Sequence, residues 1–206
     1  MNNEKHLIPR IAIQSIATGL LMMAFFTTLW AIIARAGLDG RDHDIEIIVF
    51  GILAAAFVVK AIYFFSVAKR FPKNTSEADN ERGKKEGMWF GIIFGGEGLG
   101  IFIAINVVNN IGHPDLVIPA IALVVALHFY PIGWIFKRTI DYYLATWATI
   151  VAVLGIVFTL HHSFSQNNIL AFVGMGLAAA TSSYGIYMVF TGRRMIDKLP
   201  IEVGRL

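Results

Sequence analysis

The chain has 206 residues, of which 56% are hydrophobic, and its mean hydropathy is +0.65. This composition argues against an ordinary soluble domain, because runs of about 18 or more apolar residues are typical of membrane spans. The net charge of +3 would suit a nucleic-acid ligand, but the basic residues lie in alternate loops, which is the positive-inside pattern of membrane proteins. The absence of cysteine excludes disulfides, thiolate metal sites and thiol nucleophiles.

Six apolar runs predict an all-α integral membrane protein, a single-domain bundle of six transmembrane helices. The runs are continuous and do not alternate with polar residues, which favours helices over a β-barrel. About 20 residues of helix cross a 30 Å hydrocarbon core, and each run reaches that length. The predicted spans cover residues 11–34, 45–68, 88–109, 116–136, 142–161 and 169–190.

The loop charges predict a multi-pass protein of the cell (cytoplasmic) membrane with both termini inside. The loops on the opposite side contain only two basic residues, Arg35 and Arg41. The first span is longer than the apolar part of a signal peptide and is interpreted as an uncleaved helix. The predicted inner side carries Lys5, Arg10, Lys69, Arg70, Lys73, Arg82, Lys84, Lys85, Lys137, Arg138, Arg193, Arg194, Lys198 and Arg205.

The longest predicted connection is the inner loop 69–87, which mixes acidic and basic residues and has few apolar ones. Such a composition is typical of a solvated, mobile segment. Its basic residues could bind anionic lipid or a cytoplasmic protein. The lipid bilayer is the other expected partner, and nucleic acid is not expected.

The third span carries two stripes of glycine at helical spacing. They consist of Gly87, Gly91, Gly95 and Gly98 on one side and of Gly96 and Gly100 on the other. Glycine stripes let helix backbones approach closely, so the third span is predicted to be a central helix with neighbours on both sides. The sixth span has a similar tract of small residues, 174–183, and is predicted to pack tightly. Faces of this kind often associate between copies, which makes a homodimer one expectation.

A layer of polar residues is predicted near the middle of the bundle. Glu97 lies deep in the third span, where a charged carboxylate costs roughly 2.5 kcal/mol or more. Lys60 and His128 fall at a similar depth in the second and fourth spans, and two hydroxyls lie close to that depth in the fifth and sixth. If these faces converge, they form a ligand or proton site. Its residues would be Glu97, His128, Lys60, Thr149 and Ser182.

Each ionisable residue of this layer also has a purely structural interpretation. Lys60 lies toward the inner end of its span, from which its ammonium group can reach the lipid headgroups. Glu97 could join two helices through an ion pair or hydrogen bond, or stay neutral. His128 could simply hydrogen-bond a neighbouring helix.

Histidine and aspartate are frequent on the predicted outer side. Imidazole with carboxylate suits zinc and other first-row divalent metals, so a divalent metal is one alternative there, and no other cofactor is expected. The spacing matches no recognised ligand signature, and the acidic loop 39–44 lacks the pattern of a calcium-binding EF-hand. Ordinary polar loops are therefore the other interpretation. The candidate ligands are His43, His113, Asp115, His161 and His162.

Three functions stay open. The first is a small secondary transporter or channel-like permease for a small solute or ion. In it Glu97 is the proton or cation site, His128 is its pH-responsive partner, and Lys60 is a counter-charge or an anion ligand. The second is a non-transporting regulator or scaffold, in which the polar layer only holds helices together. The third and least favoured is a membrane-embedded enzyme with Glu97 and His128 as an acid–base pair, because no nucleophile or metal signature accompanies them.

Overall fold

The computed structural model describes residues 8–72 and 77–197, and within these ranges the chain is helical and has no strand. A short 3-10 helix, Pro114–Leu116, precedes the fourth long helix. All six long helices are apolar enough to cross a membrane, so the predicted all-α architecture with six helices of membrane-spanning length is confirmed. The helices are α1 Arg10–Leu38, α2 Ile45–Ala68, α3 Glu77–Asn110, α4 Val117–Phe136, α5 Thr139–Leu160 and α6 Gln166–Ile196.

The structure corrects the second half of the predicted loop 69–87. Residues 77–87 are helical and extend α3 by about three turns before the predicted span. This stretch has no proline and is rich in glutamate and lysine, which are good helix formers, whereas hydropathy detects only the apolar part of a helix. Residues 73–76 lie outside the described residues, as do Lys5, Lys198 and Arg205 of the predicted charge pattern.

Helix α6 lies at the centre of the bundle and packs against α1, α2, α4 and α5. In its most apolar 18-residue stretch 61% of the residues are buried. Small residues allow this packing, because a Cβ at Gly174 would lie 2.5 Å from the backbone nitrogen of Ala34. A Cβ at Gly37 would lie 2.2 Å from the backbone nitrogen of Ala171. The prediction that the small-residue tract of α6 packs tightly is therefore confirmed at Gly174.

The prediction that the third span is central is wrong. Helix α3 lies at the edge of the bundle, where it packs on α4 and the 3-10 helix, and only 11% of its most apolar stretch is buried. Of its glycines, Gly100 would bring a Cβ within 3.0 Å of Val124. Glycine permits close helix approach but does not supply a neighbour, so the same pattern occurs at the centre and at the edge. The glycines of α3 around which there is open space are Gly83, Gly87, Gly91, Gly95, Gly96 and Gly98.

The connection between α1 and α2 is held in place by Arg41. Its guanidinium group donates hydrogen bonds to the carbonyls of Leu38 and Gly37, at 2.8 and 2.7 Å, and to Asn168 Oδ1 of α6, at 2.7 Å. The last carbonyls of an α-helix have no partner within the helix, so Arg41 satisfies two of them and ties the loop to α6.

Substitution of Gly174 by alanine should destabilise the fold, whereas the same change at Gly95 should not. The new methyl group at Gly174 would press on the backbone of α1, and overpacking of this kind lowers the free energy of unfolding by about 1–3 kcal/mol. Gly95 faces open space, and alanine has the higher helix propensity, so that variant should be unchanged or slightly more stable. Denaturation of the two purified variants in detergent tests this, and equal losses would contradict the packing described above.

Candidate functional site

Glu97 of α3 and His128 of α4 meet where these two helices pack. Glu97 Oε1 lies 3.6 Å from His128 Nδ1, and the side chains are 7% and 8% exposed. This distance is short enough for an ion pair but too long for a strong hydrogen bond. The two helices are antiparallel, because Phe90, earlier in α3, contacts Phe136, later in α4, at a ring-centroid distance of 6.4 Å.

The surroundings of the pair are largely apolar. His128 Nδ1 is in hydrogen-bond contact with the Val125 carbonyl, one turn earlier in α4. If Nδ1 carries the proton of the neutral ring and donates it to Val125, Nε2 is left as the acceptor nitrogen. The rings of Phe94 and Phe129 have their centroids 5.4 and 4.2 Å from that of the imidazole. An acid and an imidazole therefore share a pocket walled by aromatic rings.

Lys60 does not join this pair. It is exposed and lies on α2, which packs on α1 and α6. Its Nζ atom is 5.8 Å from the centre of the Tyr63 ring on the same helix. The sequence predicts a similar depth for Lys60 and Glu97, but the Lys60 side chain lies on the exposed surface of its helix.

The two hydroxyls of the predicted layer are also separate from the pair. Thr149 Oγ1 and Ser182 Oγ are buried and have no hydrogen-bond partner among residues 8–72 and 77–197. A different hydroxyl pair joins two helices, because Thr27 of α1 donates to Thr181 of α6 at 3.0 Å. Thr27 and Thr181 belong to the α1–α6 contact and were not singled out by the sequence.

The candidate metal ligands are dispersed over the α1–α2, α3–α4 and α5–α6 connections. His113 Nδ1 lies 3.7 Å from Asp115 Oδ1, while His43, His161 and His162 are exposed. Across the described ranges, no three histidine, aspartate or glutamate side chains are grouped so that they could hold one metal ion.

The sequence reasoning missed a polar cluster at the turn between α4 and α5. Asp141 is fully buried, and Arg138 Nε lies 3.0 Å from its Oδ2 atom. The guanidinium carbon of Arg138 is 4.7 Å from the centre of the Phe136 ring and 5.8 Å from that of Tyr184 in α6. Residues three apart share a helix face, so the spacing of Arg138 and Asp141 is a signal in the sequence for this contact.

Two cavities of the bundle lie apart from the Glu97–His128 pair. One has a volume of about 350 Å³ and is lined by residues of α1, α5, α6 and the α1–α2 and α5–α6 connections, including Arg41 and Phe164. The other is an open groove of about 460 Å³ between α5 and α6, lined by residues that include Trp147 and Met175. Neither is lined by a residue of the pair.

Comparison of the chain with protein-family models, with curated proteins and with solved structures found no match.

Removal of the Arg138 side chain should destabilise the bundle, because it leaves the buried carboxylate of Asp141 without its cation. Breaking a buried ion pair typically costs about 3–5 kcal/mol, and since Arg138 is one-third exposed we expect about 2–3 kcal/mol, below that range. The matched control is Arg35→Ala, which breaks the exposed Arg35–Asp44 pair and should have a smaller effect. Adding Asp141→Asn to Arg138→Ala should restore part of the loss. Equal losses for the two arginine variants would contradict a structural role of Asp141.

Proposed function

We propose that the protein is a small secondary transporter or channel-like permease that uses Glu97 and His128 as its proton site. It would act in the cell (cytoplasmic) membrane with both termini inside. The supporting observation is the buried approach of a carboxyl and an imidazole, at 3.6 Å, within two helices long and apolar enough to cross a membrane. Ionisable residues at such a depth are rare and often mark proton relays or substrate pathways.

The chemistry of the pair couples a proton to the contact between α3 and α4. With one exchangeable proton the pair has no net charge, whether that proton lies on the carboxyl or on the imidazole. Loss of this proton leaves a carboxylate between apolar walls, which is unfavourable unless the carboxylate reaches water or a cation. Helix α3 packs mainly on α4 and the 3-10 helix, so in the proposed mechanism movement of α3 away from α4 exposes Glu97.

The proposed site is smaller than the predicted layer. Lys60 lies on the exposed surface, and the hydroxyls of Thr149 and Ser182 make no hydrogen bond to the pair. The substrate would therefore be a proton, a cation or a small solute whose movement is coupled to the protonation of Glu97.

A regulator or scaffold is the second candidate, and the helical extension 77–87 favours it. This extension carries Lys84 and Lys85 on its exposed surface, where they could bind anionic lipid headgroups or an acidic protein surface. In that case the Glu97–His128 pair only fastens α3 to α4, and replacement of the two lysines, not of Glu97, would abolish function.

Replacement of Glu97 by glutamine should abolish proton-coupled flux and leave the protein folded. Purified protein would be reconstituted into liposomes that contain a pH-sensitive dye, and a panel of alkali cations, amino acids and small organic ions would be added outside. We expect one of them to change the internal pH with the wild type. The response with Glu97→Gln should fall to that of empty liposomes, because glutamine cannot release a proton. Lys60→Gln is the matched control, because Lys60 is another ionisable residue of a spanning helix but lies on the exposed surface. This variant should retain the wild-type response.

Thermal denaturation of the same variants separates transport from a structural role. If no solute moves protons with the wild type, and the Glu97→Gln protein only unfolds at a lower temperature, the Glu97–His128 pair has a structural role and holds α3 to α4. Equal loss of flux in Glu97→Gln and Lys60→Gln would also contradict the proposed site.

A further inference from the structure

A second carboxyl pair, formed by Asp42 and Glu46, lies at the beginning of α2. Glu46 is only 6% exposed, and the Asp42 carboxyl lies against the backbone of Glu46. The pair is on the α1–α2 hairpin, whose main packing partner is α6 and not α3. It is therefore a site independent of Glu97 and His128.

Three of the four carboxyl oxygens in this pair lack a hydrogen-bond donor. The backbone N–H of Glu46 donates to Asp42 Oδ2 at 3.0 Å, which satisfies one of the free N–H groups at the start of α2. The remaining oxygens are buried and have no donor among the described residues: Asp42 Oδ1, Glu46 Oε1 and Glu46 Oε2. Buried polar groups without a partner are rare in folded proteins and call for an explanation.

The neighbouring charged groups do not supply the missing donors. The guanidinium group of Arg35 binds Asp44 at 2.7 and 3.3 Å and thereby lowers the pKa of Asp44 below its usual range. Arg41 is occupied by carbonyls of α1 and by Asn168.

The other titratable groups near the pair are few. His43 is exposed, and Asp39 is the remaining ionisable residue of the connection. The neighbouring turns of α6, residues 166–176, contain no titratable residue.

Ionisation of both carboxyls is unfavourable, because two negative charges on adjacent and poorly solvated side chains raise the free energy of the doubly ionised state. A single proton removes the repulsion and converts one acceptor into a donor, which makes a short, charge-assisted hydrogen bond. A hydrogen bond from Glu46 accordingly lowers the pKa of Asp42 below its usual range, as expected if Asp42 is the ionised partner.

A bound calcium ion accounts for the pair less well. Calcium takes six to eight oxygen ligands, and two adjacent carboxyls with buried oxygens cannot provide them. No third acidic or histidine side chain joins Asp42 and Glu46 in a metal-binding group within the described part of the chain.

We propose that Glu46 and Asp42 share one proton at neutral pH and form a second proton-binding site, at the α1–α2 end of the bundle. The shared proton holds the first turn of α2 to the preceding loop. At alkaline pH the proton leaves, two negative charges face each other, and the start of α2 loosens from the loop.

Infrared spectroscopy of the full-length protein in detergent would detect this proton directly. At neutral pH the wild type should show the carbonyl band of a protonated carboxyl group, and part of this band should be lost in Glu46→Gln. The part lost in Glu46→Gln should persist in Glu97→Gln, which separates this site from the proposed transport site. Asp42→Asn should remove the same part, because its amide can donate to Glu46 and leave that carboxyl ionised. If Glu46→Gln fails to fold, Asp42→Asn carries the test.

Hydrogen exchange of the backbone amides in residues 39–48 would show whether the shared proton holds the start of α2 to the loop. After correction for the intrinsic rate, exchange in the wild type should accelerate at alkaline pH. It should not accelerate in Glu46→Gln, whose amide group donates to Asp42 at every pH. If the carbonyl band of the wild type at neutral pH is unchanged in both Glu46→Gln and Asp42→Asn, the proposal is overturned. Carboxylate bands that shift on addition of calcium chloride in the wild type, but not in Glu46→Gln, would instead assign the pair to a cation.

Discussion

The close contact of α1 with α6 determines where the other helices can lie. Backbone atoms of the two helices approach so closely at Gly37 and Gly174 that a methyl group at either position would overlap the opposite backbone. With α6 fixed in this way, α2 inserts Phe57 and Phe64 against Gly185 and Gly192 on another part of its surface, and α5 packs Val151 over Gly176. Helix α4 then occupies the space beside α5 and α6 and presents His128 to α3 on its far side. The candidate site therefore depends on a contact between helices that contribute no residue to it.

The sequence predicted the helices well because hydropathy and length decide whether a segment can cross a membrane. It did not predict which helix is central, since α3 and α6 both carry glycine at helical spacing and only α6 has neighbours on most sides. The same difficulty affected the polar layer. Depth follows from position in the span, but whether two side chains meet depends on how each helix is rotated about its axis. Glu97 and His128 face each other, while Lys60 at a similar depth faces outward.

Two polar contacts that the sequence did not predict, those of Asp141 and Glu46, lie at the beginnings of helices. Asp141 is within the first turn of α5 and Glu46 within the first turn of α2, positions at which a carboxylate is favoured by the helix dipole. Asp141 has a guanidinium partner, Glu46 has another carboxyl, and Glu97 has an imidazole. Each partner implies a different property. The guanidinium group keeps Asp141 permanently compensated, the second carboxyl lets Glu46 share a proton, and the imidazole lets Glu97 exchange one.

Because α3 lies at the edge of the bundle, the order in which the helices are synthesised differs from the order in which they can pack. The ribosome produces α3 before α4, yet α4 supplies most of the surface on which α3 packs. Until α4 is made, the nascent chain holds Glu97 without its imidazole partner. The third helix to be synthesised therefore reaches its final environment only after the fourth has been made.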